Sequence, residues 1–231
     1  QASSSALEWK GNCSSSDSIS FIPILPASNK TPEKLLSYLP DNTCFFTWMP
    51  FDSAAHTWKN LRRNRSLFLP QTTQAQTSIG KLDDFTGEFC FFLTEPTTSA
   101  LDNTIFIAVR SEQMDRYWSS WESHRTNTRG STMEKSGMFT ICSTPDTDLV
   151  QNYFGRFAAG LHSTCYMRVN DMMFFSNSTS SLRTLTNSIN GKKNVVTFRG
   201  SELNRYIRST GCVSLTYIDA SRIQQPVKSL L

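Results

Sequence analysis

Residues 163–191, STCYMRVNDMMFFSNSTSSLRTLTNSING, contain the pattern that decides the fold. Two runs rich in apolar and aromatic residues flank Asn170 and Asp171, a pair suited to a tight turn, so the first half predicts a hairpin. A helix is predicted next, because apolar residues recur at helical spacing: Leu182, Leu185 and Ile189. Gly191 then stands where a left-handed C-terminal cap is expected. The stretch therefore predicts a strand, a second strand and a helix.

The same order occurs twice more upstream. Strand-like runs at 88–94 and 104–110 precede a helix with an apolar stripe made by Met114, Tyr117, Trp118 and Trp121. Runs near 131–134 and 138–142 surround a Lys-Ser-Gly turn and precede a helix that carries Leu149, Tyr153, Phe154 and Phe157. The sequence therefore predicts an α+β fold: a largely antiparallel sheet built from repeated strand-strand-helix units, with the helices layered on one face.

The two ends of the chain suggest its domain organisation. Residues 1–20 form a Ser-rich stretch of the linker kind, which we interpret as a leader or tether. Residues 44–61, CFFTWMPFDSAAHTWKNL, predict a strand, a cap and a helix, and CVSLTYIDASRI begins that pattern again near residue 212. We expect a single α+β domain over 21–231, or two pseudo-repeats within it, and a module of something larger.

Composition and charge exclude several function classes. The 231 residues are 38% hydrophobic and 12% aromatic, which is typical of a folded globular chain. No run of eighteen or more apolar residues occurs, so membrane association is expected only through an N-terminal anchor. The formal charge is +4, but basic and acidic residues are interspersed, and no nucleic-acid partner is predicted.

The six cysteines permit two interpretations. Five lie in apolar, strand-like runs, where a thiol behaves as a small buried hydrophobic group: Cys44, Cys90, Cys142, Cys165 and Cys212. Cysteines on adjacent strands would instead pair as disulfides in an oxidising compartment, and sequence alone cannot assign the pairs. Cys13 lies in the polar leader, and no cysteine or histidine spacing suits zinc, so no structural metal is predicted.

The sequence predicts no reaction centre. Nucleophile-elbow, zinc-protease, phosphate-loop, dinucleotide-binding and calcium-loop motifs do not occur. We interpret the three histidines as solvated or hydrogen-bonded surface residues: His56, His124 and His162. Asp83 and Asp84 are expected to be solvated, whereas Asp146 and Asp148 are expected in the first turn of a helix, where its dipole favours negative charge. We therefore predict a non-enzyme with no catalytic, cofactor-binding or metal-binding residue and no small-molecule substrate.

One concentrated basic patch is present. It consists of Lys59, Arg62, Arg63 and Arg65. Such a patch can contact phosphate or an acidic partner, so it is the candidate partner-binding surface of the chain. Arginines at the end of a helix also offset its exposed carbonyl groups, and this local role is the interpretation that we favour.

Two long stretches resemble a family of bacterial envelope proteins of unknown function. They are LPDNTCFFTWMPFDSAAHTWKNLRRNRSLF at 39–68 and VNDMMFFSNSTSSLRTLTNSINGKKNVVTFRGSELNRYIRSTGCVSLTYID at 169–219. In that family a Leu-Pro start leads into a strand and a helix, and a Ser-capped helix, a Gly-Lys turn and a Tyr-Ile-Asp strand follow later. The resemblance implies an exported or lipid-anchored protein, in some members followed by a β-propeller. It supplies no catalytic residue.

These observations favour a non-enzymatic, exported envelope module that binds other proteins or scaffolds an assembly. The resemblance places it in the periplasm or at the outer-membrane surface, lipid-anchored, with other envelope proteins as partners. A secreted, glycosylated adhesive or receptor-like ectodomain is the first alternative, since four N-x-Ser/Thr sequences occur: Asn12, Asn29, Asn64 and Asn177. A hydrolase that uses one of the histidines is the second.

Overall fold

The computed structural model describes residues 30–51, 86–96, 101–147, 149–154, 158, 160–197, 214–219 and 221–222. The strands are β1 Thr43–Phe51, β2 Gly87–Thr94, β3 Ile105–Arg110, β4 Thr132–Ser136, β5 Phe139–Thr144, β6 Thr164–Val169, β7 Met172–Ser176 and β8 Leu215–Ile218. The helices are α1 Glu33–Leu36, α2 Met114–Asn127, α3 Leu149–Phe154 and α4 Thr179–Asn190. Within this described part, no helix has the length and apolar character needed to cross a bilayer.

The eight strands form one sheet in the order β4-β5-β6-β7-β3-β2-β1-β8, and every neighbouring pair is antiparallel. Strands β1 to β3 make one meander. Helix α2 then leads to β4 at one edge, and β5, β6 and β7 return until β7 pairs with β3. The predicted α+β class and the predicted antiparallel sheet are therefore confirmed.

Helices cover both faces of the sheet, so the prediction that they lie on one face is wrong. In β2, Phe89 belongs to a core cluster that contains residues of α2 and α3, whereas Cys90 and Phe92 belong to a second cluster that contains residues of α1 and α4. Successive side chains of a strand point to opposite faces. Because β2, β3 and β7 are apolar at nearly every position, both faces must be shielded from water.

The helices also differ in their positions relative to the strands before them. The chain order is strand, strand, helix three times, ending in α2, α3 and α4. Helices α2 and α3 pack against one core cluster and α4 against the other, so the three helices are not equivalent in space. The three strand-strand-helix segments thus share their order along the chain but not their arrangement in space. The stretch near residue 212 supplies β8, which pairs with β1 from Phe45↔Ile218 to Trp48↔Leu215.

The core beneath α2 is largely aromatic. Trp121 is 1% exposed, and its ring lies 4.8 Å from that of Phe175, 5.2 Å from Tyr166 and 5.5 Å from Tyr153. Tilted and edge-to-face pairs at these separations each contribute about 0.5–1.5 kcal/mol beyond the area that they bury. The predicted stripe of α2 is confirmed, with Trp118 packed at the margin of the cluster.

The opposite core combines aliphatic helix residues with aromatic strand residues. Leu182 and Leu185 of α4 are buried there together with the stacked rings of Phe92 and Phe106, whose centroids are 4.9 Å apart. Fully burying a leucine side chain stabilises a fold by about 1.5–3 kcal/mol. The apolar stripe of α4 therefore holds this helix on the sheet, as its spacing predicts.

The end of α4 differs from the prediction at one residue. Gly191 has φ −75°, so it does not adopt the left-handed conformation, and the positive φ of 54° belongs to Lys192. The Lys193 N–H donates to the Ser188 carbonyl and the Lys192 N–H to the Ile189 carbonyl, which is the Schellman pattern of hydrogen bonds. These two hydrogen bonds require the left-handed conformation at Lys192, which is one position beyond Gly191.

Four of the cysteines lie among the described residues, and all four are buried free thiols: Cys44, Cys90, Cys142 and Cys165. This confirms the interpretation of these four as buried hydrophobic groups. Cys13 and Cys212 lie outside the described residues.

Candidate functional site

The sequence-predicted partner surface lies in a part of the chain that the structure does not describe. Lys59, Arg62, Arg63 and Arg65 all fall within residues 52–85, together with His56 and the pair Asp83 and Asp84. Their roles remain predictions.

Of the two histidines that the structure describes, His124 has the more extensive polar surroundings. Its Nε2 lies 2.6 Å from Asp146 Oδ2 and 3.3 Å from Thr128 Oγ1. In a catalytic triad, the acid and the nucleophile use different nitrogens of the imidazole ring. Here both neighbours approach the same nitrogen, so the arrangement orients the ring and does not activate the Thr128 hydroxyl. The prediction that His124 is hydrogen-bonded is confirmed, although its side chain is only 13% exposed.

The predicted capping role of Asp146 is not what its side chain does in the structure. Helix α3 begins at Leu149, no acidic residue lies in its described first turn, and the Asp146 carboxylate contacts His124 instead. The Asp146 carbonyl also accepts a hydrogen bond of 2.5 Å from Thr164 Oγ1. Asp146 therefore connects the end of α2 to β6. Asp148 lies outside the described residues.

His162 has separate surroundings. Its backbone N–H donates to Asn177 Oδ1 at 2.7 Å, and its Nδ1 lies 3.5 Å from Gln151 Nε2. The residue is exposed, as predicted for a surface histidine. Its contacts join the start of β6 to α3 and to the loop after β7.

A polar cluster lies between α2 and the sheet. Arg125 donates to both carboxylate oxygens of Glu122, and the Tyr166 hydroxyl and the Cys142 thiol lie 3.3 and 3.4 Å from Glu122 Oε1. Burial, and then the Glu122 carboxylate, raise the pKa of Cys142 to about 12. The thiol therefore stays protonated at neutral pH and is a poor nucleophile. The cluster attaches α2 to β5 and β6.

A second charged cluster lies where β2 begins and β3 ends. Glu88 is 1% exposed; its carboxylate pairs with Arg110 Nη1 and accepts a hydrogen bond of 3.0 Å from Trp48 Nε1. Arg110 Nε donates to Asp171 Oδ2 at 2.9 Å, and Lys34 Nζ donates to the same oxygen at 2.6 Å. These contacts join α1, strands β1 to β3 and the β6–β7 turn.

The Asp171 carboxylate has a lowered pKa. Burial alone would raise it, but hydrogen bonds and charge from Lys34 and Arg110 outweigh that effect. Its second oxygen, Oδ1, is buried without a hydrogen-bond partner among the described residues. We interpret this cluster as structural, because its acids and cations neutralise one another. Within the described chain, moreover, no group of three or more potential metal ligands occurs.

The outer edge of β4, one of the two outermost strands of the described sheet, is suited to contact another molecule. Among the described residues, β4 pairs with β5 on one side and with no strand on the other. Met133 is 57% exposed in the strand, and Met138 is 83% exposed in the turn that follows. An outermost strand presents unpaired N–H and C=O groups, to which an added strand can bond. We refer to strand β4 with Met133 and Lys135 as the β4 edge.

Helix α4 holds the β4 edge in place from one face. Arg183 Nε and Nη2 donate to the two oxygens of Glu134 at 2.8 and 2.7 Å, and Ser136 Oγ lies 2.9 Å from Thr186 Oγ1. Because side chains alternate along a strand, Met133 and Lys135 project from the other face. The strand is thus fixed from one side and accessible from the other.

The sequence contained one signal of this site. The run near 131–134 reads as a strand, yet TMEKS lacks the continuous apolar character of the central strands. Polar residues on both faces of a strand indicate an edge position. The place of β4 at the outside of the sheet, however, depends on the crossover through α2.

No protein-family model matches the chain, and no curated protein or solved structure matches it either. The resemblance to bacterial envelope proteins therefore stays a prediction.

Proposed function

We propose that this chain is a non-enzymatic, exported envelope module that binds another protein through the β4 edge. The observation that carries the proposal is the outermost position of β4 together with the exposure of Met133. In this mode of recognition, an extended segment of the partner adds a strand to the sheet, and main-chain hydrogen bonds supply much of the affinity.

The attachment of β4 to α4 favours such binding. A binding surface that is already ordered loses less conformational entropy on association. The bidentate Glu134–Arg183 pair and the Ser136–Thr186 contact order the strand from one face. Roughly every second residue of an edge strand directs its N–H and C=O groups outward. In the five-residue strand β4, about two or three residues therefore offer these groups to a partner.

Met133 supplies the apolar part of the surface. Its flexible thioether side chain adapts to differently shaped partners, which is why methionine is frequent on binding surfaces. Met133 lies opposite Cys142 of β5, a buried residue of the core beneath α2. An apolar residue of the added strand would therefore extend that core outward by one strand.

We further propose an exported, lipid-anchored location and a scaffold of repeated strand-strand-helix units. The location is supported by the Ser-rich leader and by the resemblance to envelope proteins. The repetition is supported by the order of the elements, in which each of three hairpins is followed by a helix.

Site-specific photo-crosslinking in cells tests the binding proposal. A photoreactive amino acid replaces Met133, and in a control variant it replaces Glu112, which is exposed in the turn before α2. We expect an adduct with one protein from position 133 and none from position 112. In two further variants of the crosslinking protein, proline replaces residue 134 or residue 135. The N–H groups of neighbouring strand residues point to opposite sides, so one of these two faces β5 and the other faces outward. The proline that leaves the melting temperature unchanged marks the N–H that faces outward.

That outward proline should abolish the adduct, because it removes a donor to the added strand. Equal adducts at 133 and 112, or an adduct at 133 that is indifferent to the proline, would contradict the proposal. Short edge strands and exposed lysines also protect monomeric sheets against unwanted pairing. If β4 is such a protected edge, position 133 will give no adduct, and that result would also contradict the proposal.

A further inference from the structure

We infer that the segment bound at the β4 edge is an acidic, extended stretch of a different protein, an inference that rests on the proposed function. Four exposed cations lie along or beside this edge: Arg129, Lys135, Lys192 and Lys193. Within the described part of the chain, none of the four forms an ion pair.

The positions of these cations follow from the fold. Arg129 lies three residues before β4 begins, and Lys135 lies within it. The β4–β5 turn adjoins the end of α4, because a Cβ built on Gly137 would lie 3.7 Å from Asn190 Nδ2. Lys192 and Lys193 follow directly and line a shallow depression of about 320 Å³ together with Tyr38 and Ile189. Positive charge therefore lies before the start of β4, at Arg129, and near its end, at Lys135 and at the adjoining end of α4.

The acids near β4 do not balance these cations. Glu134 is held by Arg183, and hydrogen bonds from that guanidinium lower the pKa of Glu134. Glu122 is held in the same way by Arg125. Each of these carboxylates is neutralised by its own arginine. The net field along the edge is therefore positive, and it favours an acidic partner.

The same charges disfavour a second copy of this chain as the occupant. Two copies related by a two-fold axis would pair their β4 strands antiparallel, so the start of one strand would face the end of the other. Arg129 of one copy would then approach the β4–β5 turn of its mate. Lys135 lies just before that turn, and the turn adjoins the end of α4, which Lys192 and Lys193 follow. Like charges brought together in this way oppose pairing.

The strand also predicts the pattern of the partner. Met133 and Lys135 are two residues apart on one face of β4. Directly opposed residues of paired strands share a face, so the partner should place an apolar residue opposite Met133 and an acidic residue two positions away, opposite Lys135. The inferred ligand is thus an extended segment with apolar and acidic residues alternating on one side.

Peptide binding to the purified full chain tests this inference. The probes are three fluorescent peptides of alternating Thr and Val with a Val at the centre. The residues two positions before and after this central Val are replaced by Glu in the first peptide, by Thr in the second and by Lys in the third. Anisotropy titrations should show that the Glu peptide binds most tightly and that its affinity falls as salt rises. Lys135→Glu should weaken the Glu peptide about tenfold and improve binding of the Lys peptide. Arg116→Glu is the matched control, since this exposed cation lies about 20 Å from Arg129, at the other end of α2.

Four results would overturn the inference. Equal binding of all three peptides at the β4 edge would remove the acidic preference and leave the proposed function standing. Equal effects of Lys135→Glu and Arg116→Glu would show a nonspecific charge effect. Dimers of the chain that dissociate when the outward proline is introduced would make a second copy the occupant. No binding of any peptide would refute the acidic segment, and the crosslinking at Met133 would then decide separately whether the proposed function fails.

Discussion

Strands β4 and β7 have the same length, five residues, and both end in serine, but they differ in their exposure to solvent. Strand β7, MMFFS, is buried at every position, whereas three of the five residues of β4, TMEKS, are exposed. Met173 of β7 is 1% exposed and Met133 of β4 is 57% exposed. The same residue type is therefore part of the core in one strand and part of the surface in the other.

The difference follows from the neighbours of each strand. Strand β7 pairs with β6 on one side and with β3 on the other, and its two faces belong to the two core clusters. In the described structure β4 has one paired neighbour, β5, and α4 contacts it from one face. We conclude that stability is concentrated in the centre of the sheet, while β4 can be altered, or can bind a partner, at little cost to the fold.

The largest expected effect comes from a comparison of ion pairs. Glu88→Ala, in the interior, removes one of the two carboxylate partners of Arg110 and the acceptor for Trp48 Nε1, and we expect it to lower the free energy of unfolding by about 4 kcal/mol. Glu134→Ala, at the β4 edge, should have little effect, because it breaks a solvent-exposed pair. Urea unfolding measures both. Similar losses in the two variants would contradict the division between centre and edge.

Matched methionine substitutions make the same comparison for packing. Met173→Ala should cost about 3 kcal/mol, because it leaves a cavity in the core beneath α2. Met133→Ala should change the free energy of unfolding by less than about 0.5 kcal/mol, because its side chain is mostly in water. Thermal unfolding of the two variants alongside the unmodified chain gives the values. If Met133→Ala lowers the free energy of unfolding as much as Met173→Ala does, the Met133 side chain is shielded from water, which would contradict the comparison.

Acid should weaken the centre of the sheet through Asp171. Its pKa is lower in the folded than in the unfolded chain, so the carboxylate stabilises the fold above its unfolded pKa, and this contribution is lost as pH falls through the folded value. Asp171→Asn should therefore be less stable than the unmodified chain at neutral pH, and the difference should shrink below about pH 4.

Urea midpoints at a series of pH values measure this difference. Asp115→Asn serves as the control, since its carboxylate is 92% exposed and should give only a small difference at neutral pH. A difference for Asp171→Asn that is independent of pH would show that the carboxylate acts through shape and not through charge.

The smallest expected effect is at the end of α4, where Lys192 has a positive φ. Lys192→Gly should stabilise the fold by about 0.5–1 kcal/mol, because glycine adopts this conformation without the steric cost that a side chain imposes. Lys193→Gly is the control, because Lys193 does not have a positive φ, and the substitution should give no gain. A loss of stability at Lys192 would mean that its side chain contributes more than its backbone conformation costs.

The elements that sequence analysis located correctly share a physical basis. The turn at Asn170 and Asp171 and the apolar spacing of α2 and α4 depend on interactions between residues close in the chain. Strand β7 and helix α4 therefore lie where their patterns predict them. The cap at Ser178 is equally local, since its side chain accepts from the Ser181 N–H at 3.1 Å.

The incorrect predictions concern choices that local pattern does not make. Gly191 and Lys192 are both compatible with the end of a helix, and the hydrogen bonds of the last turn select Lys192. Asp146 could cap α3, but packing of α2 against the sheet brings His124 within 2.6 Å of its carboxylate. The helices could cover one face or two, and the apolar character of both faces of the central strands requires two.

By itself, the sequence determined the class of the fold and the position of most hairpins and helices along the chain, because turn chemistry and apolar periodicity act over a few residues. Only the tertiary structure decided that β4 became an outermost strand, which faces the helices cover and which cations lie near β4. Those features arise where residues distant in the chain meet, as when the crossover through α2 places β4 outermost and α4 returns beside it. The candidate site depends on all three of them.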